Sequence, residues 1–158
     1  MIRIGVIGCG YWGPNLIRNF SHLKGSDVVI CSDLSEERLA HMRSLYPKLE
    51  TTTDYRRVLA HKDVDAVVVD LQDVGTRIYT FAYTMSHVME AAAELGKEVV
   101  VLDRPNPIDG VTVQGTMLDP AYRSFVGLYP MPTRHGLTMG EMARWMNERY
   151  RLTDAATR

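Results

Sequence analysis

Cysteine is scarce in this chain, with only Cys9 and Cys31 among 158 residues. Two thiols at that spacing make neither a disulfide framework nor a metal-site motif, so free thiols in a reducing compartment are expected, and no metal. Both cysteines fall at the ends of expected strands, which leaves a meeting of the two open. Long apolar runs are lacking as well. Val67-Val68-Val69 and Val99-Val100-Val101-Leu102 are of strand length, far short of the roughly 20 residues a membrane helix needs. The start, MIRIGVIG, enters a strand without the basic region and apolar segment of a secretory signal, so the expectation is a cytoplasmic protein. An excess of either charge is missing too: 18 basic against 19 acidic residues leave a formal net charge of -1. That balance provides no electrostatic footprint for nucleic acid or an anionic membrane. Internal repeats and low-complexity segments are absent.

What remains is an ordinary globular composition, 46% hydrophobic and 23% charged, at a length that suits one domain. The run Ile2 to Ile7 reads as a strand, followed by a glycine loop. Leu16, Ile17, Phe20 and Leu23 then recur at helical spacing, with Pro14 at the helix opening. Val28 to Cys31 is a second strand. Ser35 can cap a helix with the stripe Leu39, Met42 and Leu45, and Pro47 stops it. A brief strand at Thr51-Thr52 and a short helix capped by Asp54 follow. Asp65 to Val69 is the next buried strand. Met85, Val88, Met89, Ala92 and Leu95 mark a long helix that Gly96 can end, and Val99 to Leu102 is another strand. Beyond it come turn formers in RPNPIDG, an expected hairpin or extended pair over Val111 to Met117, and a short run Ser124 to Gly127. A last helix opens at Thr138 and carries Met142, Trp145, Met146 and Tyr150.

Strands alternating with helices in this way predict an α/β fold. It is a single doubly wound, mostly parallel, Rossmann-like sheet with helices on both faces, ordered 3-2-1-4-5 with room for a sixth strand. The expected organisation is one domain over 1-158, with halves at 1-69 and 70-150 and a tail at 151-158.

The loop IGCGYWG holds the chemistry most open to direct reading. Gly8 permits the tight turn, Gly10 lets backbone approach a pyrophosphate, and Gly13 allows close packing of helix on strand, with the anion at the helix N-terminus. Asp33 ends the second strand, 20 residues after Gly13, where it can accept from ribose hydroxyls and repel a 2′-phosphate, favouring NAD over NADP. Asp33 can equally serve as a turn residue before Ser35. Tyr11 and Trp12 are placed to wall the cofactor.

From Met1 to about Val69, the strings GCGYWGPNLIRNF, CSDLSEERL, TTTDYRRVLA and DVDAVVV resemble the N-terminal nucleotide domain of the Gfo/Idh/MocA oxidoreductases. The resemblance implies NAD contacts from Gly8, Gly10, Tyr11, Trp12, Gly13 and Asp33. It also implies an Ala-Thr-Pro segment and later a Glu-Lys-Pro motif with a catalytic lysine. This chain has Asp70 to Gly75 and Asp103-Arg104-Pro105 instead, and arginine does not deprotonate near neutral pH.

From Asp70 to about Tyr150 the chain is similar to a different family, the exo-acting N-acetylmuramidases of peptidoglycan recycling. The matching strings are DLQDVGTRIYTFAYTM, MEAAAELGKEVVVLDRPNPIDG, VQGTMLDP and RSFVGLYPMPTRHGLTMGEMARWMN. This resemblance implies hydrolysis of a terminal muramic acid glycoside, for which two carboxyl groups ordinarily flank the scissile bond. Candidates are Asp70, Asp73, Asp103 and Glu141, with His135 as a proton carrier and Arg77, Arg104 or Arg134 as binders of a substrate carboxylate. Each has a structural alternative. Glu141 completes a capping box with Thr138, Asp103 can pin a turn, and Asp70 and Asp73 can hydrogen-bond their own loop. The family also implies a Pro-Glu-His-Gly motif with a catalytic glutamate in its N-terminal portion, where this chain carries the dehydrogenase-like half.

The change of resemblance falls at Val69-Asp70 with no linker, whereas domains ordinarily join at exposed linkers. The expectation is therefore a recombined or engineered chimera that binds NAD without a complete catalytic site. A muramidase remnant, or a scaffold with no retained function, is the alternative.

Overall fold

A computed structural model of the chain describes residues 1-153. By their internal contacts these form two compact units, one of Met1–Val69 with Ala91–Val100, the other of Asp70–Glu90 with the chain from Val101 onward.

The first unit holds β1 (Ile2–Ile7), α1 (Gly13–His22), β2 (Ser26–Ser32), α2 (Glu36–Leu45), β3 (Glu50–Thr52), α3 (Tyr55–Leu59) and β4 (Ala66–Val69). A further helix, α4 (Phe81–Glu94), crosses the division and leads to β5 (Glu98–Val101). The sheet order is β3-β2-β1-β4-β5, the order the alternation predicts, and β1 pairs in parallel with β2 and β4 while β2 pairs with β3. A sixth strand is absent among the described residues, and no described helix is long and apolar enough to cross a membrane.

Local causes are visible element by element. β4 is buried along its whole length because strands flank it on both edges, which is why it reads as an unbroken aliphatic run. Gly5 sits inside β1 because α3 lies close over it: a Cβ there would fall 2.4 Å from Val58 Cγ1, so even alanine would need α3 to move. Ser35 caps α2, its hydroxyl accepting from the Arg38 amide at 3.4 Å, with Glu36 and Glu37 in the first turn and Arg43 in the last, all favourable to the helix dipole. Leu39 and Met42 are fully buried beneath it, whereas Leu45 departs from the expected stripe and stands exposed where the helix ends.

The second unit is loop-rich around α5 (Met139–Tyr150). Its core is heavy in methionine, with Met85, Met131, Met139, Met142 and Met146 buried beside Tyr83 and Tyr129. Flexible thioethers fill such an irregular interior without demanding one shape. Tyr129, Tyr150 and Trp145 form a ring cluster, the two tyrosine centroids 4.7 Å apart. α5 opens with a capping box between Thr138 and Glu141.

The hairpin expected over Val111 to Met117 does not form. Only an isolated bridge joins Gln114 to Arg134, and Val111 is 88% exposed. Asp109 accounts for the failure: its carboxylate takes the amides of Val111 and Thr112 at 2.6 and 2.8 Å, the donors a ladder would have used. Ser124 to Gly127 is likewise a turn, closed on itself by two backbone hydrogen bonds. Of the expected tail, Arg151 closes α5 with φ 53° and Thr153 is held by the Asn147 side chain; residues 154-158 lie outside the described residues.

Candidate functional site

Two places carry chemistry, one in each unit. In the first, β1 gives way to Gly8 at φ +101°, whose amide donates to the Ser32 carbonyl at 2.8 Å. A Cβ on Gly13 would lie 2.6 Å from the Gly8 carbonyl oxygen, whereas one on Gly10 would meet nothing closer than an Arg38 nitrogen at 3.9 Å. Gly13 is thus required by packing and Gly10 leaves an open approach. α1 starts behind this loop with no side-chain cap; Pro14 has no N–H and the Asn15 and Leu16 amides donate to the Trp12 carbonyl, so the Gly13 amide is what its first turn leaves for an anion. These features fit a pyrophosphate.

Asp33 is turned toward the loop. One carboxylate oxygen accepts from the Cys9 amide and the other from the Ser35 amide, both at 2.8 Å, and Arg38 stands 3.5 Å away. The residue therefore pins the glycine loop to the end of β2, while each oxygen keeps a second lone pair for a ribose hydroxyl. A cavity of about 380 Å³ lined by Cys9, Ser35, Glu37, Arg38 and His41 lies alongside. Tyr11 and Trp12 contact one another edge to face and stand out in solvent, Tyr11 at 87% exposure. Cys9 and Cys31 are free and buried. Interaction between the two thiols, reinforced by burial, pushes Cys9 up, and against burial it draws Cys31 down.

In the second unit the sequence candidates separate by what already occupies them. Asp70 is paired with Arg104. Asp103 receives the Gly140 amide at 2.7 Å, the Arg104 amide at 3.0 Å and the Thr138 hydroxyl at 2.8 Å, stitching its turn to the start of α5. Glu141 accepts from the Thr138 amide within the capping box. These three carboxylates complete local structure.

Asp73 and His135 differ. Their side chains are 4% and 2% exposed, and His135 Nε2 lies 3.2 Å from Asp73 Oδ2, which also accepts from the Gly75 amide. Leu137 donates its amide to His135 Nδ1, which places a neutral ring's proton on Nε2. The Nε2 to Asp73 contact is too poorly aligned to be a hydrogen bond, and His135 Nε2, Asp73 Oδ1, Arg77 Nε and Nη1 and Arg134 Nε are all buried without a partner. Backbone contacts fix the arginines: the Arg77 amide donates to Thr133, its carbonyl accepts from the Tyr83 hydroxyl at 2.7 Å, and Arg134 bridges to Asp109 at 2.8 Å. A buried set of donors and acceptors facing no partner is costly unless something polar fills it. Among the described residues no group of three or more His, Cys, Asp or Glu could hold a metal ion.

Sequence reasoning missed two contributors. Tyr83 read only as helix, and its role is visible only once Arg77 is placed beneath it. The nearness of the two thiols had a signal, since parallel pairing of β1 with β2 brings the residues just past one strand beside the last of the other.

Asp109 gives a pH test. The Thr112 hydroxyl foremost, then the Thr112 and Val111 amides, hold its carboxyl at about 2, below the ordinary 3.8. A depressed folded-state value stabilises the turn above the unfolded value and is lost as pH falls through the folded one, so the 109-112 turn should open between about pH 4 and 2. Carboxyl-carbon NMR of Asp109 reads this directly, and a midpoint near 4 would refute it.

Comparison with known proteins crosses this division. The family described as exo-beta-N-acetylmuramidase NamZ, N-terminal, matches residues 25–157, reaching upstream of Asp70 into the dehydrogenase-like stretch. The peptidoglycan beta-N-acetylmuramidase NamZ of Bacillus subtilis (strain 168) is 46% identical over 119 residues, 75% of this chain and 28% of that protein. A crystal structure of a DUF1343 family protein from Bacteroides fragilis NCTC 9343 covers 94% of this chain and 41% of its own at 29% identity and TM-score 0.72. Inositol 2-dehydrogenase 2 of Paenarthrobacter aurescens (strain TC1) is 41% identical over 73 residues, 46% of this chain and 21% of that protein. Scyllo-inositol dehydrogenase from Lactobacillus casei, solved with NAD(H) and scyllo-inositol, shares the fold alone, at 20% identity and TM-score 0.51 over 64% of this chain and 27% of that one. The chain thus spans well under half of each of these relatives and carries both resemblances. With the family match extending over most of its residues, it belongs to the NamZ exo-beta-N-acetylmuramidase N-terminal family.

Proposed function

We propose that the chain is the glycan-binding part of an exo-acting muramidase and that its second unit holds a terminal N-acetylmuramic acid. The observation that carries this is the buried, unpartnered set Asp73, Arg77 and His135, lying within the family-matched residues. Muramic acid presents a carboxylate, which a guanidinium binds through paired N–H donors, and ring hydroxyls, which an imidazole N–H and a carboxylate oxygen can take. Asp70, Asp103 and Glu141 are occupied by Arg104, by Thr138 with Gly140, and by the α5 cap. Of the four carboxylate candidates Asp73 alone keeps a free buried oxygen, one short of the pair that glycoside hydrolysis uses. The reading is therefore of binding, without turnover by this chain alone. Calorimetric titration with 4-nitrophenyl N-acetylmuramide tests it. Arg77→Met should weaken binding roughly 10- to 100-fold, the worth of one or two hydrogen bonds to a charged group, with the melting temperature kept. No saturable binding by the wild type, or equal binding by the variant, would sink the idea.

A second reading rests on the glycine loop: the first unit takes NAD, its pyrophosphate over Gly10 and the start of α1. Open space at Gly10 and the enforced absence of a side chain at Gly13 favour it, and fluorescence titration of NADH reads it. The meeting of the two resemblances is read as a half-sheet exchange in the coding sequence. In its support, one boundary between the compact units falls at Val69-Asp70, where the motifs change, while Ala91–Val100 of the muramidase-like half belongs with the first unit. A cytoplasmic address belongs to the same reading.

A further inference from the structure

The two cysteines serve neither reading, yet they sit where chemistry is possible. Val6 pairs with Cys31 and Ile7 with Ser32 across β1 and β2, and the Gly8 turn then folds Cys9 back so that its sulfur lies 3.7 Å from the Ser32 carbonyl. That brings it to the same end of the β1–β2 pair as the Cys31 thiol, and the two thiols influence each other's ionisation. Cys31 has no exposed surface and Cys9 only 3%, but Cys9 also forms part of the wall of the 380 Å³ cavity with Ser35, Arg38 and His41. A small oxidant therefore has a route to one sulfur of a neighbouring pair.

We propose that Cys9 and Cys31 are an oxidisable dithiol that closes to an intramolecular disulfide when a hydroperoxide reaches Cys9 through this cavity. Cys9 attacks one peroxide oxygen and its proton leaves with the other, giving a sulfenic acid and, with hydrogen peroxide, one water. The Cys31 sulfur then attacks Cys9, the sulfenic oxygen leaves as a second water, and the S–S bond forms. Each sulfur gives up one electron and the peroxide takes both. The product ties the glycine loop covalently to the end of β2, and reduction by a thiol reverses it, in keeping with the transient disulfides of reducing compartments. The Cys31 thiol, drawn down by its neighbour, is readied for the second attack.

Because the chain has only these two cysteines, any intramolecular disulfide must be theirs. The reduced protein is treated with hydrogen peroxide, quenched, unfolded, alkylated and weighed by mass spectrometry. Expected is the loss of both alkylatable thiols with a mass lower by two hydrogens, restored by dithiothreitol, and a Cys9–Cys31 cross-linked peptide after digestion. Cys31→Ser should instead gain oxygen at Cys9. Two thiols still alkylatable, oxygen adducts on the wild type without the internal link, or a link between two chains on a non-reducing gel would each overturn the proposal.

Discussion

Gly13→Val should lower both stability and NADH affinity, and Gly10→Ala should lower affinity alone. At Gly13 the new Cβ meets a backbone carbonyl oxygen at 2.6 Å, which no rotamer change relieves, so the loop or α1 must shift at a cost of about 3 kcal/mol, the upper end for overpacking. For a chain of this length that is a fall in melting temperature of roughly 6–12 °C. At Gly10 the added methyl meets no protein atom within normal contact and stands where a pyrophosphate would approach. Losing even one charge-assisted hydrogen bond from the loop amides costs about 1.5–3 kcal/mol, roughly 10- to 100-fold in affinity. Thermal melts and fluorescence titrations on the two variants separate the effects. Unchanged NADH binding in both would leave Gly8, Gly10 and Gly13 as turn residues only.

Tyr83→Ala is expected to be the most damaging change in the second unit. The side chain is fully buried, stacks at a tilt against Tyr129 with centroids 6.2 Å apart, and donates its hydroxyl to the Arg77 carbonyl. Burial also pushes its phenol up, so it stays a donor throughout the ordinary pH range. Truncation leaves a large cavity and an unsatisfied carbonyl, together about 3–5 kcal/mol. Tyr83→Phe removes only the hydrogen bond and should cost about 1 kcal/mol. Urea midpoints read both, and a loss below about 1 kcal/mol for the alanine variant would show that the interior closes around the gap.

The sheet was legible because its signals are local. Aliphatic runs of strand length, Ser35 and Thr138 at helix starts, and Gly8 after β1 each act within a few residues, and the alternation of strand and helix then leaves few topologies. Val111 to Met117 misled for an equally local reason: its apolar spacing suits a strand, but Asp109 takes the amides a strand must offer. Leu45 misled because it keeps the helical spacing yet, as the last residue of α2, stands exposed. For the candidate site, Thr138 and Glu141 announced their capping role through spacing alone. Asp103 could be read as a turn residue or a catalytic one until Gly140 and Thr138 were seen to fill its oxygens. That Asp73 meets His135 in the interior, and that Arg77 carries buried nitrogens without a partner, could not be read, since it depends on how distant loops cross. A lack of hydrogen-bond partners leaves no mark on a sequence.

β5 has one consequence of a different kind. It closes the sheet at one edge with four residues whose exposure alternates, leaving Val100 42% exposed. An open row of backbone donors and acceptors beside valines invites strand addition by another copy. Lys97 precedes it, Glu98 opens it and only four residues are on offer, so the edge is brief and charged at its entrance. Solubility on concentration therefore depends on those two charged neighbours more than on the overall charge balance.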